Sequence, residues 1–182
     1  MEYAHAQGVI HRDIKPSNLL MDRKNRVKVL DLGLARFSAT DQKPDEQETV
    51  TTALTATGAV MGTVDYMAPE QALNSRNADE RSDIYGLGCT LYHLLTGNLM
   101  YTGSTVMETL IAHREKPLPK LIDVRDSVPT DLQAIFHTMV AKAPEDRFSS
   151  MREVITALEE CASEHGYSWM MRRLIDENRA RG

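Results

Sequence analysis

Cysteine is scarce: Cys89 and Cys161 are the only two in 182 residues, far apart and outside any CxxC or other metal-spaced set. That excludes a disulfide framework and a thiolate metal site, and it makes a reducing, cytoplasmic setting the expectation. An excess of positive charge is missing too. With 21 Lys and Arg against 26 Asp and Glu, the chain carries a net charge of -5. It therefore has no basic field for a polyanionic backbone, and nucleic acid is not expected as a partner. No stretch approaches the roughly 18 uninterrupted apolar residues that cross a bilayer, and the N-terminus has no basic, apolar, small-residue signal pattern. Neither export nor a transmembrane segment is expected. No internal repeat is evident.

What the chain has is enough apolar mass, 42% of residues, for one globular core. Residues Met1 to Gln7 read as the end of a helix stopped by Gly8. Val9 and Ile10 then lead into the polar run HRDIKPSN at 11–18. Leu19 to Met21, a polar turn over Asp22 to Asn25, and Val27 to Leu30 predict a short hairpin. From Phe37 to Met61 the sequence has no helical or strand period, and a connection of that length inside a domain reads as a regulatory loop. Ile84, Leu87, Leu91, Leu94 and Leu95 recur at helical spacing, with Gly97 where a C-cap belongs. Thr105 with Glu108, Thr130 with Gln133 and Ser150 with Glu153 read as capping boxes opening three further helices. The last of these is lined by Met151, Val154, Ile155, Leu158 and Ala162.

The hairpin separates two polar clusters, so that Asp13, Asn18 and Asp31 can converge at its mouth. Oxygen ligands and bases brought together in this way suit a hard divalent cation and a hydroxyl nucleophile. Taken singly each residue has an ordinary structural explanation: Asp13 and Asp31 could hold turns, Asn18 a loop, and His11 could pack in the core. What weighs against them jointly is the resemblance that the whole set of motifs carries. HRDIKPSN, DLG at 31–33, GTVDYMAPEQ at 62–71, SDIYGLG from 82, and Arg147 occur in one chain in a fixed order.

That set resembles the protein kinase family, in its serine/threonine branch and its bacterial eukaryotic-like type. The resemblance covers residues 1–162 and implies the helical C-terminal lobe of the kinase fold: mainly α (α+β), with a small β-hairpin at the catalytic edge. The catalytic loop would be 11–18, the activation segment 31–70, and residues 163–182 a tail. By resemblance Asp13 accepts the proton of a substrate Ser or Thr hydroxyl. Asn18 and Asp31 hold magnesium or manganese ions on the phosphates of ATP, and Lys15 neutralises the transferred phosphoryl group. Thr63 would hydrogen-bond towards Asp13 and Lys15. Glu70 would pair with Arg147, and Asp83 would hold the backbone of the catalytic loop. His11 is read as a packing residue.

Arg12, assisted by Arg36, would clamp a phosphorylated activation loop through charge-assisted hydrogen bonds. LTATGAVMGT resembles segments in which two threonines spaced as Thr55 and Thr57 are autophosphorylated. Thr49, Thr51 and Thr52 are alternatives, as is an unmodified loop. DLG in place of the commoner DFG keeps the metal-binding Asp31 and removes an aromatic ring.

The family's N-lobe is absent. No GxGxxGxV segment occurs, the pair Gly86 and Gly88 lies in an apolar helix, and no VAIK-like lysine is present. The chain therefore reads as a fragment, as a truncated gene product, or as half of a kinase completed by a separate N-lobe or partner kinase. Two functions follow: an ATP-dependent kinase acting on proteins, or a non-catalytic lobe that binds proteins. In the tail, Met171, Leu174 and Ile175 could line a short helix that packs on the lobe or meets a partner or membrane surface. His113, His137 and His165 are too scattered in sequence to suggest a metal site.

Overall fold

In the computed structural model of the chain, residues 1–24, 26–30, 36–37, 62, 64–74 and 78–165 are described. Helix α1 (Glu2–Ala6) ends because Gly8, at φ 73°, takes a left-handed backbone at no steric cost. Strand β1 (Val9–Ile10) follows, and a 3-10 turn at Pro16–Asn18 leads into β2 (Leu19–Met21). Strand β3 (Val27–Val29) pairs antiparallel with β2, placing Leu19 opposite Val29 and Met21 opposite Val27. The Asp22 carboxylate stabilises the turn between them by accepting the backbone N–H groups of Lys24 and Arg26 at 2.9 and 3.0 Å. A second ladder, which the sequence does not announce, pairs β1 with β4 (Arg36–Phe37).

The rest is helical. Helix α2 spans Pro69–Leu73, α3 Glu80–Thr96, α4 Val106–Glu115, α5 Leu121–Val124, α6 Thr130–Met139 and α7 Met151–His165. Helix α3 is the central element. Asp79 caps it by accepting the Arg81 N–H, and Gly97, at φ 75°, closes it with a hydrogen bond to the His93 carbonyl. Its buried face carries Ile84, Tyr85, Cys89 and Tyr92, which pack with Phe136, Met139, Val140 and Leu121. The rings of Tyr92 and Phe136 lie 5.8 Å apart.

Two apolar positions expected on buried faces are not there. Leu94 is 50% exposed and Ile155 38% exposed, because Tyr92 on α3 and Val154 and Cys161 on α7 take the inward positions. The capping boxes also differ from their sequence form. Thr105 accepts the Glu108 N–H at 3.1 Å, but Glu108 reaches back to Ser104. Glu153 likewise accepts from both the N–H and hydroxyl of Ser149. No box forms at Thr130: Pro129 holds the N-cap position, and the Gln133 side chain accepts the N–H of Leu121 at 2.5 Å instead. It thereby caps the neighbouring helix.

Asp31, Thr63, the threonines at 49–57 and the tail beyond 165 lie outside the described residues, as does the side chain of Arg36.

Candidate active site

The chain from His11 to Asn18 is irregular, so its backbone polar groups need partners from elsewhere. Asp83, 1% exposed, supplies two acceptors from the first turn of α3. Its Oδ2 accepts the His11 N–H at 2.8 Å and its Oδ1 the Arg12 N–H at 2.7 Å. Gln71 Nε2 donates to the Arg12 carbonyl at 3.0 Å, and Thr90 Oγ1 to the Ile14 carbonyl at 3.4 Å. A Cβ on Gly86 would stand 3.1 Å from the Ile14 carbonyl oxygen, so a side chain here would press the loop a few tenths of an ångström away from α3. His11 is fully buried, with Nε2 3.0 Å from the Leu30 carbonyl oxygen. Arg12 Nη2 donates to the Ala78 carbonyl at 3.2 Å.

Held in this way, the loop presents Asp13, Lys15 and Asn18 to one another. Lys15 Nζ is 2.8 Å from Asp13 Oδ2, and Asn18 Nδ2 donates to the same oxygen at 3.0 Å and to the Asp13 carbonyl at 2.8 Å. The other carboxylate oxygen, Oδ1, is buried and has no hydrogen-bond partner among the described residues. One side of the carboxylate is thus immobilised, and the other offers lone pairs with nothing to accept.

An ion pair joins the segments on the other side of the α3 N-terminus. Arg147 uses all five of its N–H donors: two to the Glu70 carboxylate at 2.7 and 2.8 Å, and the others to the carbonyls of Ala141, Arg81 and Lys142. Its guanidinium also lies 4.7 Å from the centre of the Tyr85 ring. Ser82 Oγ donates to Glu70 Oε1 at 2.7 Å. The pair ties α2 to the loop before α7.

Behind it, His113 is buried between Tyr85 and Lys142. Tyr85 Oη is 2.8 Å from His113 Nδ1, and Lys142 Nζ donates to the His113 carbonyl. Burial, helped by the Lys142 charge, pulls the imidazole down to about 4, and burial pulls Lys142 down to about 8.

Several contacts of this framework have no signature in the sequence, although Tyr66 and Gln71 themselves lie within the 62–71 motif. His5 places Nε2 2.8 Å from Asp83 Oδ2. Gln71 accepts the Ala68 N–H while donating to Arg12. Tyr66 Oη meets His93 Nδ1 at 2.5 Å. The contacts of His5 with Asp83, Gln71 with Arg12 and Tyr66 with His93 are tertiary, and no local spacing could have marked them. Among the histidines read as scattered, the fold gathers His165 with Asp131 and Glu164 in an exposed cluster, where His165 pairs with Asp131 at 2.7 Å.

Two concavities stand out among the described residues. A cavity of about 290 Å³ is lined by His5, Ile10, Asp79, Glu80, Arg81 and Ser149, and a groove of about 530 Å³ runs from Thr102 to Pro117 along α4. Neither is lined by Asp13, Lys15 or Asn18. No described helix is long and apolar enough to cross a membrane.

Comparison with known proteins gives one result. The family described as protein kinase domain matches residues 1–159. Serine/threonine-protein kinase Pkn1 of Myxococcus xanthus is 38% identical over 169 residues, covering 91% of this chain and 23% of that protein. Serine/threonine-protein kinase PknB of Mycobacterium tuberculosis is 39% identical over 155 residues, and PknB of Mycobacterium leprae 37% over 155; each match covers 85% of this chain and 23% of the relative. The chain spans about a quarter of the length of these relatives.

Proposed function

Since this chain belongs to the protein kinase domain family, we propose that it is the catalytic lobe of a serine/threonine kinase, moving the γ-phosphoryl group of ATP to Ser or Thr hydroxyls of proteins. The observation that carries this reading is the divided environment of Asp13: Oδ2 held by Lys15 and Asn18, Oδ1 buried and unpartnered among the described residues. A base that must accept a hydroxyl proton needs a carboxylate fixed in direction and an oxygen whose lone pairs are not already spent on protein donors.

The donor set fits a nucleotide carrying magnesium or manganese. Asn18, 8% exposed, spends its amide nitrogen on Asp13, which leaves its carbonyl oxygen as the hard ligand such a cation takes. With Asp31 as the second ligand, the ions would supply charge neutralisation on the phosphates. In this reading Asp13 orients the acceptor hydroxyl and takes its proton. Lys15 stands at the same carboxylate, where its ammonium also meets the negative charge of the incoming phosphoryl group, and Thr63 completes the contact. Positioning and electrostatics do most of the work, because phosphoryl transfer needs little covalent help from the protein.

Arg12 would clamp phosphate on Thr55 or Thr57, ordering the activation segment. A nucleotide-gripping lobe, from the same protein or a partner, would cover the apolar side chains of Leu20, Met21, Val27 and Leu30, which are 42% to 64% exposed here. That same exposed face favours a second reading, a kinase lobe that binds a protein partner without catalysis.

Calorimetric titration with ATP and magnesium, beside an Asp31→Ala control, tests the kinase reading. Binding abolished by the substitution supports the kinase reading; a folded chain with no affinity for the nucleotide makes the chain either a fragment that needs its nucleotide-gripping lobe or the non-catalytic lobe of the second reading.

A further inference from the structure

The cavity of about 290 Å³ beside the start of α3 is separate from the site at Asp13. Its inner end is made by the His5 side chain, 4% exposed, and by Ile10, 3% exposed. Its mouth is made by Asp79, Glu80, Arg81 and Ser149, whose side chains reach solvent. Three of these are held by neighbours. Both Asp79 oxygens accept from the Arg81 guanidinium at 2.6 to 3.1 Å, and Ser149 Oγ donates to Glu153 Oε1 at 2.7 Å.

His5 is different. Its Nε2 lies 2.8 Å from Asp83 Oδ2. A carboxylate can only accept, so Nε2 carries the proton and Nδ1 of the neutral ring keeps a lone pair. That nitrogen is buried and has no hydrogen-bond partner among the described residues. The ring edge opposite Asp83 faces the cavity, where Glu80 Oε2 stands 3.9 Å from Nδ1. A buried acceptor without a donor is destabilising, and it marks the place where a donor fits.

Two acceptors at this separation suit a nitrogen cation bearing N–H groups, about 2.8 Å from each. A tetrahedral metal with ligands at about 2.1 Å would draw them to roughly 3.4 Å and would need a third or fourth ligand. With Asp79 held by Arg81, the cavity offers two. Charge and shape agree with an organic cation. The Asp79–Arg81 pair is neutral, Glu80 leaves the lining negative, and Ile10 gives an apolar wall for an alkyl stem.

We propose that this cavity binds a primary ammonium group on an aliphatic stem, carried by a free alkylamine or by a lysine side chain of another polypeptide, with His5 Nδ1 and Glu80 as its acceptors. The site goes beyond the kinase reading and does not depend on it. One residue joins it to the catalytic loop: Asp83 Oδ2, which meets His5, also accepts the His11 N–H at 2.8 Å.

The test is a titration of the whole chain with n-butylamine, following the His5 ring nitrogens in long-range proton–nitrogen correlation spectra. It is run at about pH 8, above the range where imidazoles ordinarily take a second proton. Nδ1 should resonate as an unprotonated nitrogen and move upfield on saturation, with Kd on the order of 1 mM for so small a ligand. Tetramethylammonium, a cation without N–H, should leave it unshifted. Glu80→Gln, at the exposed mouth, should raise Kd about threefold to tenfold with the helical circular dichroism retained. The peptide acetyl-Gly-Lys-Gly-amide distinguishes the sources: a shift of Nδ1 by this peptide assigns the site to lysine side chains, and a shift by n-butylamine alone assigns it to free amines. A protonated Nδ1, an Nδ1 that neither probe moves, an unchanged Kd in Glu80→Gln, or a response to zinc chloride and not to the amines overturns the proposal.

Discussion

The Asp83 carboxylate accepts the backbone N–H of Arg12 at 2.7 Å, and Arg12 is the one described non-glycine residue with a left-handed backbone, at φ 68°. A left-handed residue with a Cβ costs about 1 to 2 kcal/mol, and here a buried carboxylate holds it from an element 71 residues away. Asp83→Asn keeps the shape but turns an amide towards two N–H donors. It should lose about 2 to 3 kcal/mol, the scale of a hydrogen bond to a charged group, with the helical circular dichroism retained. Urea denaturation reads the loss.

Breaking the Glu70–Arg147 pair should cost more. Arg147 has a fully buried side chain and its partner is 14% exposed, so Glu70→Gln leaves a guanidinium charge without its counterion. About 3 to 5 kcal/mol is expected. A double-mutant cycle with Arg147→Met should show strong coupling, because once one partner is gone the second removal relieves a buried charge. Additive losses would mean that the two side chains act independently.

Gly88→Ala tests packing against propensity. Alanine in a helix interior is worth about 1 kcal/mol over glycine. Here, however, its Cβ would stand 2.5 Å from Val140 Cγ1 and 3.1 Å from Met139 Cβ, both in the core. Val140 is β-branched and cannot swing aside, so overpacking of about 1 to 3 kcal/mol should win. The melting temperature should fall in Gly88→Ala and recover partly when Val140→Ala makes room.

His113 predicts an acid limb. Its imidazole is held near 4 in the fold against 6.5 unfolded, so between those values the unfolded chain binds the extra proton and stability falls as pH falls. The loss across that window is on the order of 3 kcal/mol. His113→Asn, which can still accept from Tyr85, should flatten the slope of the urea midpoint from about pH 6.5 to about 4. An unchanged slope would assign the acid sensitivity to other groups.

How much of this was legible in the sequence depends on whether a feature is local. Gly97 ends α3 where a glycine after apolar periodicity should stand, and the β2–β3 hairpin follows from two β-branched and aliphatic runs around a polar turn. The β1–β4 ladder was invisible, since two residues at each end of a 25-residue separation carry no period. Gln133 looked like half of a capping box because the spacing was right. Its amide instead faces Leu121 across the helix pair, a choice that packing makes and spacing cannot. His5 and His93 were silent for the same reason. The motif residues Asp13, Lys15 and Asn18 were readable as a set, but the asymmetry of the Asp13 carboxylate, one oxygen held and one unpartnered among the described residues, belongs to three dimensions.

The central claim concerns Asp13, and the most direct measurement is single-turnover transfer of labelled phosphate from ATP with magnesium to a Ser/Thr acceptor protein, for wild type and Asp13→Asn. Asparagine keeps the contact with Asn18 but cannot take a proton. Transfer should therefore drop about a hundredfold to ten-thousandfold, while calorimetric affinity for the magnesium nucleotide stays near wild type. Equal transfer in the two proteins, or none from a wild-type chain that binds the nucleotide, would contradict the assignment of Asp13 as the base.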